Sequence, residues 1–205
     1  MRLNPPLGFG AMSNFPALDG SAPKKQKFDA APEMGIDPSK RYTATMETSM
    51  GTLVIALDPI AAPITVNNFV FLAAQHYYDG VIFHRIIHNF MCQGGDPGGD
   101  GRGGPGYRFV DELPKTHRYV NGAVAMANSG AKNPNSNGSQ FFLVYKDTFL
   151  PGDYTIWGKI TSGLELLIEI GNVGAYKIDP TSNKAFYSPD GYPVQPVEIK
   201  TVTVR

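Results

Sequence analysis

Hydrophobic and polar positions begin to alternate at residue 42. Tyr42 to Glu47 and Thr52 to Leu57 are rich in β-branched and aromatic residues and flank Thr48-Ser49-Met50-Gly51, a pattern that predicts a β-hairpin. From Pro63 the period changes: Val66, Phe69, Val70 and Ala73 fall on one helical face, Pro63 suits a first turn, and the segment ends near Gln75 to Tyr78, before Asp79-Gly80. Strand period returns at Val81 to His88 and Phe90 to Gln93, with further short strands predicted at Ala123 to Met126, Gln140 to Tyr145, Tyr154 to Trp157 and Val197 to Val204. Ser162-Gly163-Leu164-Glu165 has the spacing of a capping box, with Leu164, Leu167 and Ile168 on one face of a second helix. Many short strands, two isolated helices and glycine-rich connections point to a closed β-barrel or sandwich rather than alternating βα units.

The run from Phe83 to Asp96 places a guanidinium and an amide among large apolar residues, with His88-Asn89 as a turn signal. Charges rarely enter such runs without a partner or a task. Strand alternation puts Phe83, Arg85 and Ile87 on one face and His84, Ile86 and His88 on the other, and a return strand would place Met91 and Gln93 beside Arg85. Residues 1–40 carry six prolines and no helical or alternating period, and read as a tail or linker outside a domain spanning 41–205. Leu3, Leu7, Phe9, Met12, Phe15, Leu18 and Phe28 make this tail more apolar than a plain spacer, so docking along the domain and free motion both stay open. Its lysines Lys24, Lys25 and Lys27 are read as solvated.

Eighteen basic residues balance eighteen acidic ones, which leaves no electrostatic hold on nucleic acid or anionic lipid. The single cysteine, Cys92, has no internal disulfide partner and no basic neighbour, so it reads as an inert core thiol in a fold independent of an oxidising compartment. Without a membrane-length apolar run or a signal-peptide core, a soluble, cytoplasmic monomer is expected.

Candidate chemistry narrows by elimination. His84 and His88 have the i, i+4 spacing of a zinc-binding helix, but Arg85 stands where the glutamate base would be, and on a strand the rings would lie about 13 Å apart at ~3.3 Å per residue. No metal or other cofactor is expected, and His84 reads as a hydrogen-bonded core histidine. Gly94 to Gly106 matches G-x-G-x-x-G twice, yet eight of these thirteen residues are glycine and no Lys-Ser/Thr pair or helix follows, so a turn-rich loop bordering a groove is the plainer reading. Ser139 lacks a G-x-S-x-G setting and any recognisable histidine or acid partner. An arginine, amides and apolar side chains remain, a surface suited to binding a peptide without covalent chemistry.

In order and spacing, Phe83-His84-Arg85-Ile86-Ile87, Phe90-Met91-Cys92-Gln93-Gly94-Gly95-Asp96, Met126-Ala127-Asn128 and Asn137-Gly138-Ser139-Gln140-Phe141-Phe142 resemble the motifs of the cyclophilin-type peptidyl-prolyl cis-trans isomerases, in a form more prokaryotic-like than animal. The resemblance covers about residues 41–205. It implies an eight-stranded antiparallel closed β-barrel capped by two α-helices, and a non-covalent enzyme that accelerates rotation about X-Pro bonds in peptides and in unfolded or folding proteins. By the same resemblance Arg85 is the catalytic arginine, and Phe90, Met91, Phe142 and Leu150 form the proline pocket. Gln93, Ala127, Asn128 and Gln140 hold the peptide, and Gly101 belongs to the neighbouring loop.

Two departures from the family's pattern stand out. Phe149 and Tyr154 occupy places where many members carry a tryptophan and a histidine, so an aromatic ring is kept at each while the indole donor is lost, and weak inhibition by cyclosporin-like macrocycles is expected. The loop Gly130 to Ser136 is also longer, at the groove edge. A different class of function, a proline-peptide-binding chaperone or docking module with little turnover, would use the same groove. Accelerated cis-trans exchange on a proline peptide separates the two.

Overall fold

A computed structural model describes residues 15–130 and 133–205. The tail positions Leu3, Leu7, Phe9 and Met12, and Ala131 and Lys132 of the long loop, lie outside the described residues. The chain is mainly β with two α-helices. In order, the elements are β1 (Tyr42–Thr48), β2 (Thr52–Leu57), α1 (Pro63–Ala74), β3 (Val81–Ile82), β4 (Arg85–Ile87), β5 (Met91–Gly94), β6 (Arg118–Tyr119) and β7 (Ala123–Met126). They continue with β8 (Phe141–Val144), β9 (Thr148–Phe149), β10 (Ile156–Ser162), α2 (Leu164–Gly171), β11 (Ala175–Ile178), β12 (Ala185–Tyr187), β13 (Asp190–Pro193) and β14 (Glu198–Val204).

Among the described residues, twelve strands form one hydrogen-bonded sheet in the order β12, β11, β13, β4, β5, β8, β7, β10, β2, β1, β14, β3, and β6 and β9 form a separate pair. The expected count of eight is thus exceeded, for two reasons. The run from Val81 is split at Phe83-His84 into β3 and β4. The stretch after α2, for which no strand is predicted before Val197, folds into the antiparallel ribbon β11, β12 and β13. The split also corrects the face assignment: Phe83 and Ile86 both enter the core, while Arg85 between them stays outside it. The irregular step at Phe83-His84 changes which parity points inward.

Helix α2 begins without the predicted capping box. Its N-cap is Gly163, at φ 90° and with no side-chain cap bond, a left-handed position that glycine adopts without steric cost. Helix α1 begins at Pro63 as expected but has no polar face, since every residue from Thr65 to Ala74 is buried. A helix buried all round must be covered on every side, with partners for its polar residues Thr65, Asn67 and Asn68. One side packs on β14, and the other lies under the segment 15–40. The Phe15 and Phe28 rings stand 5.7 and 5.0 Å from Phe71, Asn67 Oδ1 accepts the Gly35 and Ile36 N–H groups, and the Lys25 N–H donates to the Gln75 carbonyl.

From residue 15 onward the segment is therefore docked. Its lysines are not simply solvated: Lys24 Nζ donates to the Asp79 carbonyl, Lys27 Nζ to the Gly104 carbonyl, and Lys25 sits 5.0 Å above the Phe28 ring. No helix among the described residues is long and apolar enough to cross a membrane.

Candidate active site

The site is built on one face of four neighbouring strands, β4, β5, β8 and β7. Antiparallel pairing sets Arg85 opposite Gln93 and Ile87 opposite Met91, as alternation predicted, then Gln93 opposite Phe142, and Phe142 opposite Ala125. Side chains of one parity (Ile86, Cys92, Leu143, Val124) enter the main core with α1 and α2, whereas Met91, Phe142, Val144 and Ala125 form a second apolar cluster on the other face. Phe90, Leu150 and Tyr154 pack at the margin of that second cluster.

A cavity of about 250 Å³ opens over this cluster, lined by Arg85, Ile87, Phe90, Met91, Gln93, Ala127, Asn128, Phe142, Leu150 and Tyr154. Nine of these ten are residues singled out from the sequence. The tenth, Ile87, was missed, although its parity with Arg85 could have signalled it. Phe142 is ringed by aromatics, with centroids 6.0 Å to Phe90, 6.3 Å to Tyr119 and 5.6 Å to Tyr154, the last edge-on at 86°. Phe149 lies outside the lining, in β9, with 77% of its surface exposed.

Gly101 and Gln140 line an adjoining cavity of about 700 Å³, which shares Gln93, Ala127 and Asn128 with the first. An amide relay joins the two. Gln93 Nε2 donates to Gln140 Oε1 at 2.9 Å, and Gln140 Nε2 donates to the Gly101 and Gly103 carbonyls, both at 2.9 Å. The glycine-rich loop is organised from within by Asp96, whose buried carboxylate accepts the Gly98, Asp100 and Gly101 N–H groups at 2.7, 3.2 and 2.7 Å. Burial raises the Asp96 pKa, and the N–H donors outweigh it, leaving the group below its ordinary value. A Cβ at Gly103 would lie 1.8 Å from Asp96 Oδ1, so this position has no room for a side chain. The repeated glycines thus serve a carboxylate belonging to the loop itself.

The side chain of Asn128 is engaged in the scaffold: Nδ2 donates to the Asp153 carbonyl and to Asp111 Oδ1, and Oδ1 accepts the Gly130 N–H. It fixes the backbone that lines both cavities. Two residues depart from expectation. His84 is buried, but neither ring nitrogen has a hydrogen-bond partner among the described residues, and burial holds its pKa below the usual value. Arg85 is held by a partner the sequence did not reveal: Nε and Nη2 donate to the two carboxylate oxygens of Asp190 at 2.7 and 2.8 Å. That fork raises the arginine pKa and lowers the aspartate pKa. Cys92 is fully buried, and burial pushes its thiol pKa up, as for an unreactive core thiol.

Comparison with known proteins agrees with this geometry. The sequence pattern of the family described as "Cyclophilin type peptidyl-prolyl cis-trans isomerase/CLD" matches residues 43–204. A fungal "Peptidyl-prolyl cis-trans isomerase-like 1" from Gibberella zeae is 47% identical over 62% of this chain and 80% of its own. The "Probable peptidyl-prolyl cis-trans isomerase B" of Mycobacterium tuberculosis is 37% identical over 83% of this chain and 59% of its own. Among solved structures, two of a cyclophilin-type isomerase from Cryptosporidium parvum superpose with TM-scores of 0.70 and 0.68 at 34% and 33% identity. They cover 81% and 80% of this chain and 98% of theirs, and the second was determined in the presence of the dipeptide Ala-Pro. With the family's pattern spanning both the groove and the strands that carry it, this chain belongs to the cyclophilin-type peptidyl-prolyl cis-trans isomerases.

Proposed function

We propose that the 250 Å³ cavity receives the substrate proline and that Arg85 meets the amide as it twists. The observation that carries this reading is the juxtaposition of a guanidinium with an aromatic-floored pocket, on strands that hold both in register. The dipeptide used with the Cryptosporidium parvum enzyme supports a proline-containing ligand. Rotation about an X-Pro bond must overcome a barrier of about 18–20 kcal/mol arising from amide resonance. Reaching on the order of a thousand turnovers per second requires lowering it by roughly 7 kcal/mol, at about 1.4 kcal/mol per factor of ten. One charged hydrogen bond supplies about 1.5–3 kcal/mol.

Arg85 therefore works together with the pocket. As the bond twists, the nitrogen becomes pyramidal and gains a lone pair that a guanidinium N–H can meet. Phe90, Met91, Phe142 and Leu150 hold the ring, while Gln93 and the backbone at Ala127 and Asn128 hold the flanking chain more tightly in the twisted state than in the planar one. No step needs a cofactor or metal, because no proton or bond is exchanged. Folding proteins with exposed X-Pro bonds are the natural substrates in this reading, for a monomer acting in the cytoplasm.

Residues 41–205 carry the activity, with 15–40 as an appended strap. We infer further that β3 and β4 act as one strand, pairing at one end with β14 and at the other with β5. Without the β11–β13 ribbon, the sheet then closes through eight strands. The Phe83 N–H bond to the Val197 carbonyl, at the junction, supports this closure. Replacing Arg85 with alanine is expected to lower turnover on a short X-Pro peptide about 10- to 100-fold, the equivalent of about 1.4–2.8 kcal/mol. Cis-trans exchange measured by magnetic resonance checks it, and full activity would overturn the assigned role.

A further inference from the structure

The ribbon that follows α2 reaches the groove through one side chain. Strand β13 lies against β4 with Asp190 opposite Ile87 and Gly191 opposite Ile86. Asp190 therefore shares a face with Ile87 and with Arg85, two residues earlier, and such diagonal neighbours come within reach when the side chains are long. The resulting fork to Arg85 is two-pronged, at 2.7 and 2.8 Å.

The carboxylate is itself fixed at its base. Ser188, nearly buried, donates its hydroxyl to the Asp190 carbonyl at 2.7 Å and accepts the Asp190 N–H at 3.3 Å. A Cβ at Gly191 would stand 2.1 Å from the Tyr176 carbonyl oxygen, so glycine is what lets the ribbon close up next to Asp190. The fork occupies Nε and Nη2, and Arg85 Nη1 has no hydrogen-bond partner among the described residues.

We propose that Asp190 is a positioning residue for the isomerisation. It grips Arg85 by its Nε edge and leaves the Nη1 end for the twisting amide. This rests on the assignment of Arg85 to that amide. An arginine left free would have to order its several rotatable bonds at each encounter, whereas one held in advance meets the transition state already oriented. The β11–β13 ribbon thereby becomes part of the catalytic support.

The test measures kcat and KM by line-shape analysis on an Ala-Pro peptide for the full chain and for Asp190→Ala, Asp190→Asn, Asp190→Glu and Arg85→Ala. Asp190→Ala is expected to lower kcat about tenfold with KM within about twofold, since the interaction it supports is made in the transition state. Asp190→Asn should fall between, Asp190→Glu should recover most of the loss, and Arg85→Ala combined with Asp190→Ala should be no slower than Arg85→Ala alone. An unchanged or raised kcat in Asp190→Ala, with Arg85→Ala impaired, overturns the positioning role and leaves Arg85 in place. Full activity in Arg85→Ala overturns the assignment beneath it. Should Asp190→Ala fail to fold, the near-isosteric Asp190→Asn decides by the same kcat criterion.

Discussion

Phe141 and Phe142 are adjacent, equally large and both nearly inaccessible, yet they belong to different parts of the molecule. Phe141 points into the main core, with Phe83 and Phe69 at 6.3 and 6.2 Å and Trp157 at 6.0 Å, closed in by the helices. Phe142 points the other way, to a smaller cluster that ends in an open cavity. One strand thus has a face that holds the fold together and a face that borders an open cavity, the proposed substrate groove. The separation follows from the period of two alone, so a one-residue slip of β8 would exchange the roles of the two rings.

The sharpest way to break this contrast is on the core face. Phe141→Ala is expected to cost about 3–5 kcal/mol of stability, since it empties a fully packed site. Thermal unfolding would show it, and exchange kinetics on the protein that remains folded should be near normal. On the groove face, Phe142→Ala is expected to cost less stability, about 1–3 kcal/mol. It should weaken binding of a proline peptide about tenfold, measured by titration, because it removes the floor of the pocket. Equal stability losses at the two positions would show that the second cluster is simply another core.

The smallest effect lies away from both faces. His76 bonds to the Gly20 carbonyl at 3.1 Å and to Asp79 at 2.9 Å, and these contacts, in that order, raise its pKa above 6.5. A raised histidine adds stability that is complete below its unfolded value and is lost as pH rises through its folded value. Amide exchange in residues near Gly20 should therefore be slower at pH 6 than at pH 8, once corrected for intrinsic base catalysis. His76→Gln should flatten that difference while leaving isomerase activity unchanged.

Much of this was legible in the sequence, because hairpins, helix starts and β8 follow local periodicity. The periodicity places Thr52–Leu57 and Ala123–Met126 at their observed bounds, and the resemblance carried by the ordered motifs names nine of the ten residues that line the 250 Å³ cavity. What escaped depends on contacts between distant residues. The capping-box spacing at Ser162 fails because Gly163 takes the cap. The strand break at Phe83-His84 is invisible to a periodicity argument that assumes a regular strand.

The ribbon between α2 and β14 is punctuated by Gly174, Pro180, Pro189 and Pro193, which read as turns. Within it Asp190-Gly191 looks like a hairpin signal, whereas Asp190 faces an arginine 105 residues earlier in the chain. Arg85 could be singled out as a charge in need of a partner. Nothing local identifies the partner.

The covering of α1 carries a consequence for where this protein can be divided. The family's pattern starts at residue 43, yet Phe71 on the helix is sealed by Phe15 and Phe28 from before that point. A fragment trimmed to the family's limits would bear a raw apolar stripe, the kind of surface through which soluble proteins self-associate. The part that matches the family and the part whose apolar surface is covered thus have different boundaries, and the second begins earlier in the chain.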